Sequence, residues 1–101
     1  MALIDEVRFS LRISTTDDAN INTELNRYIS EAILDLTKTS DIIPFTAETA
    51  DALQRGAVID YCHYKFERDS VLKDKYREAY ESAKTKMLLS SDYSTMGAIT
   101  P

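Results

Sequence analysis

Apolar residues recur at three- and four-residue spacing over four stretches of this chain, separated by short polar breaks. That period is the mark of amphipathic helices. Leu3, Ile4, Val7 and Leu11 give a first helix over 3–12 one apolar face, and Asp5 and Glu6 come early enough to suit its N-terminus. Phe9 and Ile13 fall on the opposite side. A second helix is expected over 18–38, where Ile21, Leu25, Tyr28, Ile29, Ala32, Ile33 and Leu36 form a stripe wide enough for two neighbours. Thr16 and Asp17 are its candidate N-caps. A third is expected over 47–68, capped by Thr46, with Ala50, Leu53, Ala57, Val58, Tyr61, Cys62 and Tyr64 covering one broad side. Ile59 and Phe66 point nearly the other way, so this helix is either central in a bundle or half-covered by another subunit. Gly56 inside it costs about 1 kcal/mol relative to alanine, a penalty accepted where another backbone comes close. Leu72, Tyr76, Ala79, Ala83 and Met87 mark a fourth helix over 71–89, capped by Asp69 or Ser70.

Between the second and third helices, Pro44 pushes Ile43 out of the helical region. Residues 41–45 therefore read as an extended connector whose apolar side chains plug the bundle. From 91 to 101 the period is lost, and the segment reads as a flexible tail. Two glycines and two prolines are too few for the many turns of an all-β fold. The expected fold is all-α: one compact bundle of about four helices over 1–90, with short connections and a tail over 91–101.

Charge changes the picture at the fourth helix. At about 100° per residue, Lys73, Arg77 and Lys84 lie along one flank of its apolar face, while Asp74, Glu78 and Glu81 lie round the back. Like follows like from Lys73 to Arg77 and from Asp74 to Glu78, so opposite-charge i,i+4 pairs are given up there. Two readings stand. A basic edge and an acidic edge let copies stack head to tail, which is how rings close; or the face is simply solvated and its segregation accidental. Phe9 and Tyr80 join these six charged residues as candidate subunit contacts, with ordinary packing as the alternative for each.

The chain has 101 residues and a formal charge of −5. Residues 1–60 hold eleven acids against five bases, net −6, and residues 61–101 hold six acids against seven bases, net +1. Affinity for nucleic acid depends on neutralising phosphates, so tight DNA or RNA binding, including by a helix-turn-helix, is not expected. The single cysteine, Cys62, leaves no intramolecular disulfide and suits a reducing cytoplasm. No apolar run approaches a membrane span, and no membrane partner is expected.

Reactive constellations are sparse. Asp17, Asp18, Asn20 and Asn22 alternate like the ligands of a calcium loop. There is no glycine for the sharp turn, however, and Glu24 comes too soon to close the site. Cys62 and His63 are adjacent and so point about 100° apart on a helix, a poor joint metal site or nucleophilic pair. The expectation is a small buried thiol and a surface imidazole. The sequence has no phosphate loop, dinucleotide fingerprint or zinc-helix motif. No catalytic, cofactor or metal residues are assigned, and no enzyme is expected. Six tyrosines and no tryptophan, with Tyr61, Tyr64, Tyr76 and Tyr80 on the last two helices, suit half-wet subunit contacts or core packing with solvated hydroxyls.

The order of features resembles a known family. A start of Leu3-Ile4-Asp5-Glu6-Val7-Arg8-Phe9-Ser10-Leu11-Arg12 leads to Thr16-Asp17-Asp18, then to Asn26-Arg27-Tyr28-Ile29 and Ala32-Ile33-Leu34-Asp35-Leu36. Ala57-Val58-Ile59-Asp60-Tyr61-Cys62 and a helix running from Tyr80-Glu81 through Lys84 to Met87-Leu88-Leu89-Ser90 follow. Together these are similar to the head–tail connector, or head-completion, proteins of long-tailed double-stranded DNA phages and prophages, over residues 3–93. The polar 37–40 segment departs from the longer apolar stretch usual there. The resemblance implies a structural virion protein made in the bacterial cytoplasm, forming a ring of commonly twelve copies beneath the portal. Such a ring extends the DNA channel without specific DNA binding and offers a platform to the next connector or tail protein. The alternative is a small helical adaptor or regulator that binds a host or phage protein through a helix-in-groove contact.

Overall fold

A computed structural model of the chain describes residues 2–12, 19–38, 42–90 and 93. It is an all-α bundle of four helices: α1 (Leu3–Ser10), α2 (Ala19–Thr37), α3 (Ala52–Phe66) and α4 (Ser70–Leu88). The stripes read from spacing are the faces that meet, except that Leu72, at the start of the fourth stripe, is exposed. Leu3 and Val7 of α1, Leu25, Ala32 and Leu36 of α2, Ala57, Val58 and Cys62 of α3, and Met87 of α4 are all fully buried. Helix α3 packs against each of the other three, and α4 lies chiefly along α3. This is the central position that its broad apolar side calls for. The molecule is a slab, 50 × 30 × 19 Å, so its core is thin and much of every helix stays at the surface.

Polar clasps hold the short α1 in place. Glu6 pairs with Arg55 of α3, Arg8 donates to Asn22 Oδ1 of α2 at 2.7 Å, and Ser10 Oγ meets His63 Nε2 at 2.6 Å. After α1, Arg12 adopts φ 60°, the left-handed conformation that commonly ends a helix and that glycine adopts most cheaply.

The third helix begins later than Thr46 foretells. Thr46 and Thr49 bond reciprocally, and the Thr49 and Ala50 amides both donate to the Thr46 carbonyl, closing a single turn over 47–49. Asp51 is then extended, and its carboxylate accepts from the Gln54 amide at 3.0 Å while Gln54 Oε1 accepts from the Asp51 amide at 2.9 Å. This capping box satisfies two helix-end donors at once, so it outcompetes the threonine pair and sets the start at Ala52. At the other end α3 stops at Phe66. Asp69 caps α4 through the Val71 and Leu72 amides.

The connector does plug the bundle through Ile42 and Phe45, whereas Ile43 faces outward. The Ile43 amide donates to the Tyr93 carbonyl at 2.6 Å, and Tyr93 packs on the core. Position 93 is therefore anchored; the rest of the expected tail, residues 91–92 and 94–101, lies outside the described residues. Gly56 is not explained as expected: among the described residues a Cβ placed there meets nothing within 4 Å, so none of their backbone approaches it. No helix among the described residues is long and apolar enough to cross a membrane.

Candidate interaction surface

The charged flanks of α4 part company in the fold. Lys84 turns inward, its Nζ 2.7 Å from Asp35 Oδ2 on α2 and over the Tyr80 ring at 5.1 Å. Tyr80 is 2% exposed and donates its hydroxyl to the same Asp35 oxygen at 2.5 Å. These two residues are therefore internal fasteners between α2 and α4, not a surface offered to another subunit. The reason is positional: both sit at the border of the apolar face, where Asp35 on the facing helix draws them in. Burial, the bond to Asp35 and that residue's charge hold the Tyr80 hydroxyl well above its ordinary value. Tyr61, whose ring meets Tyr80 edge-on at 5.1 Å, is pushed up to about 12 by burial and by Glu31 and Asp35.

Arg77, Asp74, Glu78 and Glu81 are exposed, and Lys73 is half-exposed. The sorting of signs is looser than i,i+4 spacing implies. Asp74 pairs with Arg77 and Glu81 with Lys84 at i,i+3, each at 3.7 Å. The first of these is exposed on both sides, and such pairs contribute little. Phe9, at 81% exposed, stands clear of the core, as do Leu89 at 82% and Val71 at 64%.

At the end of the bundle where α1 and α3 finish and α4 starts, a basic and aromatic cluster forms that the periodicity does not single out. Lys65 and Lys73 lie over the Tyr64 ring, each 5.5 Å from its centre. Lys65, Arg68 and Lys73 line a hollow of about 430 Å³ with Glu24, Phe66 and Glu67. Arg12 and Arg68 line an adjoining one of about 350 Å³. The clue in the sequence is the run from Tyr64 to Lys73, whose bases straddle a helix break.

His63 is half-buried between Ser10 and Tyr76, stacked on the latter at 4.4 Å, rather than a surface imidazole. Burial pulls its pKa below the ordinary value, against the opposing pull of Glu67. Cys62 is the small buried thiol expected; burial and the nearby Glu31 charge push it up to about 12. A thiol so placed keeps its proton at neutral pH. Asn22 already accepts from Arg8, while Asp17 and Asp18, its partners in the calcium-like pattern, lie outside the described residues. Among the described residues no three acidic, histidine or cysteine side chains gather as a metal site. No family model, no curated protein and no solved structure matches this chain.

Proposed function

We propose that this chain is a structural subunit of the head–tail junction of a long-tailed double-stranded DNA phage or prophage. In this reading, copies form a ring of about twelve beneath the portal, extend the DNA channel and present a platform to the next connector or tail protein. The observation that carries it is a core closed without Phe9, Val71 and Leu89, which leaves large apolar side chains standing in solvent beside exposed, unequally distributed charge. In the ring, contacts with sister copies and with the other proteins of the junction would cover these side chains. The resemblance in feature order over 3–93 supplies the identity of those contacts. The net charge of −5 suits a channel that passes DNA without retaining it.

Deleting the gene from its phage or prophage tests the proposal. DNA-filled heads and free, unjoined tails are the expected products. Normal yields of joined, infectious particles would end this reading.

A further inference from the structure

We infer that copies of this chain bind head to tail, the basic end of one copy, with Arg12, Lys65, Arg68 and Lys73, receiving the acidic outer face of α4, with Asp74, Glu78 and Glu81, of the next. The inference deepens the ring reading and rests on it for its biological setting, though the contact itself is measurable apart from any virion.

The basic end has donors to spare. Arg8, Arg55 and Lys84 are each held by a carboxylate within the fold, whereas none of Arg12, Lys65, Arg68 and Lys73 makes an ion pair among the described residues. Among the described residues three carboxylates share this end, and each is engaged otherwise. Glu24 accepts the Tyr28 hydroxyl at 2.5 Å. Glu67 accepts the amides of Arg68 and Asp69 at 2.9 and 3.1 Å. Asp69 caps α4. They reduce the local charge without pairing the cations, so the guanidinium and ammonium groups keep their bonds for an outside carboxylate.

The acidic face supplies such carboxylates. Among the described residues Glu78 makes no ion pair, and Asp74 and Glu81 hold only loose partners at 3.7 Å. Val71 and Leu89, both exposed, are eighteen residues apart and so stand on one line of α4, roughly 27 Å apart at 1.5 Å per residue. The carboxylates lie between these apolar ends, with Lys75 at one border and Arg77, the loose partner of Asp74, at the other.

A second copy is favoured over nucleic acid for two reasons. The chain's charge of −5 repels phosphate polymers at a distance. Phosphates on the basic end would also leave Val71 and Leu89 in water, whereas a copy covers them while bringing its own carboxylates. Because the two faces differ, the contact is heterologous, and such contacts repeat into rings or filaments. It weakens with salt, since exposed charges are screened beyond about 10 Å at 0.1 M.

Two full-length variants test this, one reversing the basic end (Arg68→Glu with Lys73→Glu) and one the acidic face (Asp74→Lys with Glu78→Lys). At a few hundred micromolar and low salt, the parent should exceed 11.5 kDa by light scattering. Each variant alone should stay monomeric, and an equimolar mixture should associate again, because in it the intact end and face, and the reversed end and face, are each opposite in charge. If a reversal lowers the helical circular dichroism, the neutral pairs (Arg68→Gln with Lys73→Gln, Asp74→Asn with Glu78→Gln) replace it, with loss of self-association expected for both. A monomeric parent, variants that associate as the parent does, or a mixture that stays monomeric overturns the inference. So does low-salt retention of duplex DNA by the parent that only the basic-end variant loses. None of these outcomes decides the junction reading, which stands or falls on the gene deletion.

Discussion

At the contact of α2 and α4, Tyr80 combines a buried ring with a hydroxyl bond to a carboxylate that also holds Lys84. Tyr80→Phe keeps the ring and loses the bond, so it should cost about 1.5–3 kcal/mol, the range for a bond to a charged group, in urea unfolding at pH 7. The raised folded pKa fixes the sign with pH. The stabilisation is complete below the unfolded value of 10.0 and is lost as pH climbs above it. The parent's alkaline decline in stability should therefore be steeper than that of Tyr80→Phe; equal slopes would show that the hydroxyl is not held. His63 works in the other direction. Its folded pKa lies below 6.5, so its neutral form contributes stability that is complete above that pH and lost as pH falls through it. Below pH 6.5 the stability of His63→Gln should therefore fall less steeply than that of the parent, and an imidazole titrating above 6.5 by NMR would refute the buried placement.

Helix boundaries are decided by which local bonds win. The four helices and their inner faces were legible in spacing alone, because packing follows the apolar stripes. The start of α3 was not, because Thr46 and Asp51 are both good caps five residues apart, and only the reciprocal bonds with Gln54 separate them. Asp51→Ala should cost about 1 kcal/mol of stability, and Thr46→Ala clearly less, since its turn lies outside the helix. Comparable losses for both would return the start to Ala47. Desolvation raises the Asp51 carboxyl, but bonds from the Gln54 amide and the Tyr93 side chain prevail and hold it below its ordinary value. That tie explains why position 93 is anchored, a long-range contact that no local period reveals. Gly56 has open space above it, so Gly56→Ala should stabilise the free chain by about 1 kcal/mol, read as a higher denaturation midpoint. Destabilisation there would mean that something approaches α3 from outside.

For the molecule as a whole, the sequence exposed the uneven charge but not its arrangement. Lys84 and Tyr80 sit at the margin of the α4 face, and an angle cannot say whether a marginal residue turns outward or meets Asp35 on the neighbouring helix. Conversely, Lys65, Arg68 and Arg12 belong to different segments and come together only when α1, α3 and α4 meet. The thin core and the exposed apolar side chains leave this protein's distinctive chemistry on its surfaces. Light scattering of the purified full chain over a range of concentration and salt asks most directly whether those surfaces are for sister copies. The molar mass should rise above 11.5 kDa with concentration at low ionic strength and return to it when salt is added. A mass fixed at that of one chain under every condition would contradict head-to-tail association of free copies.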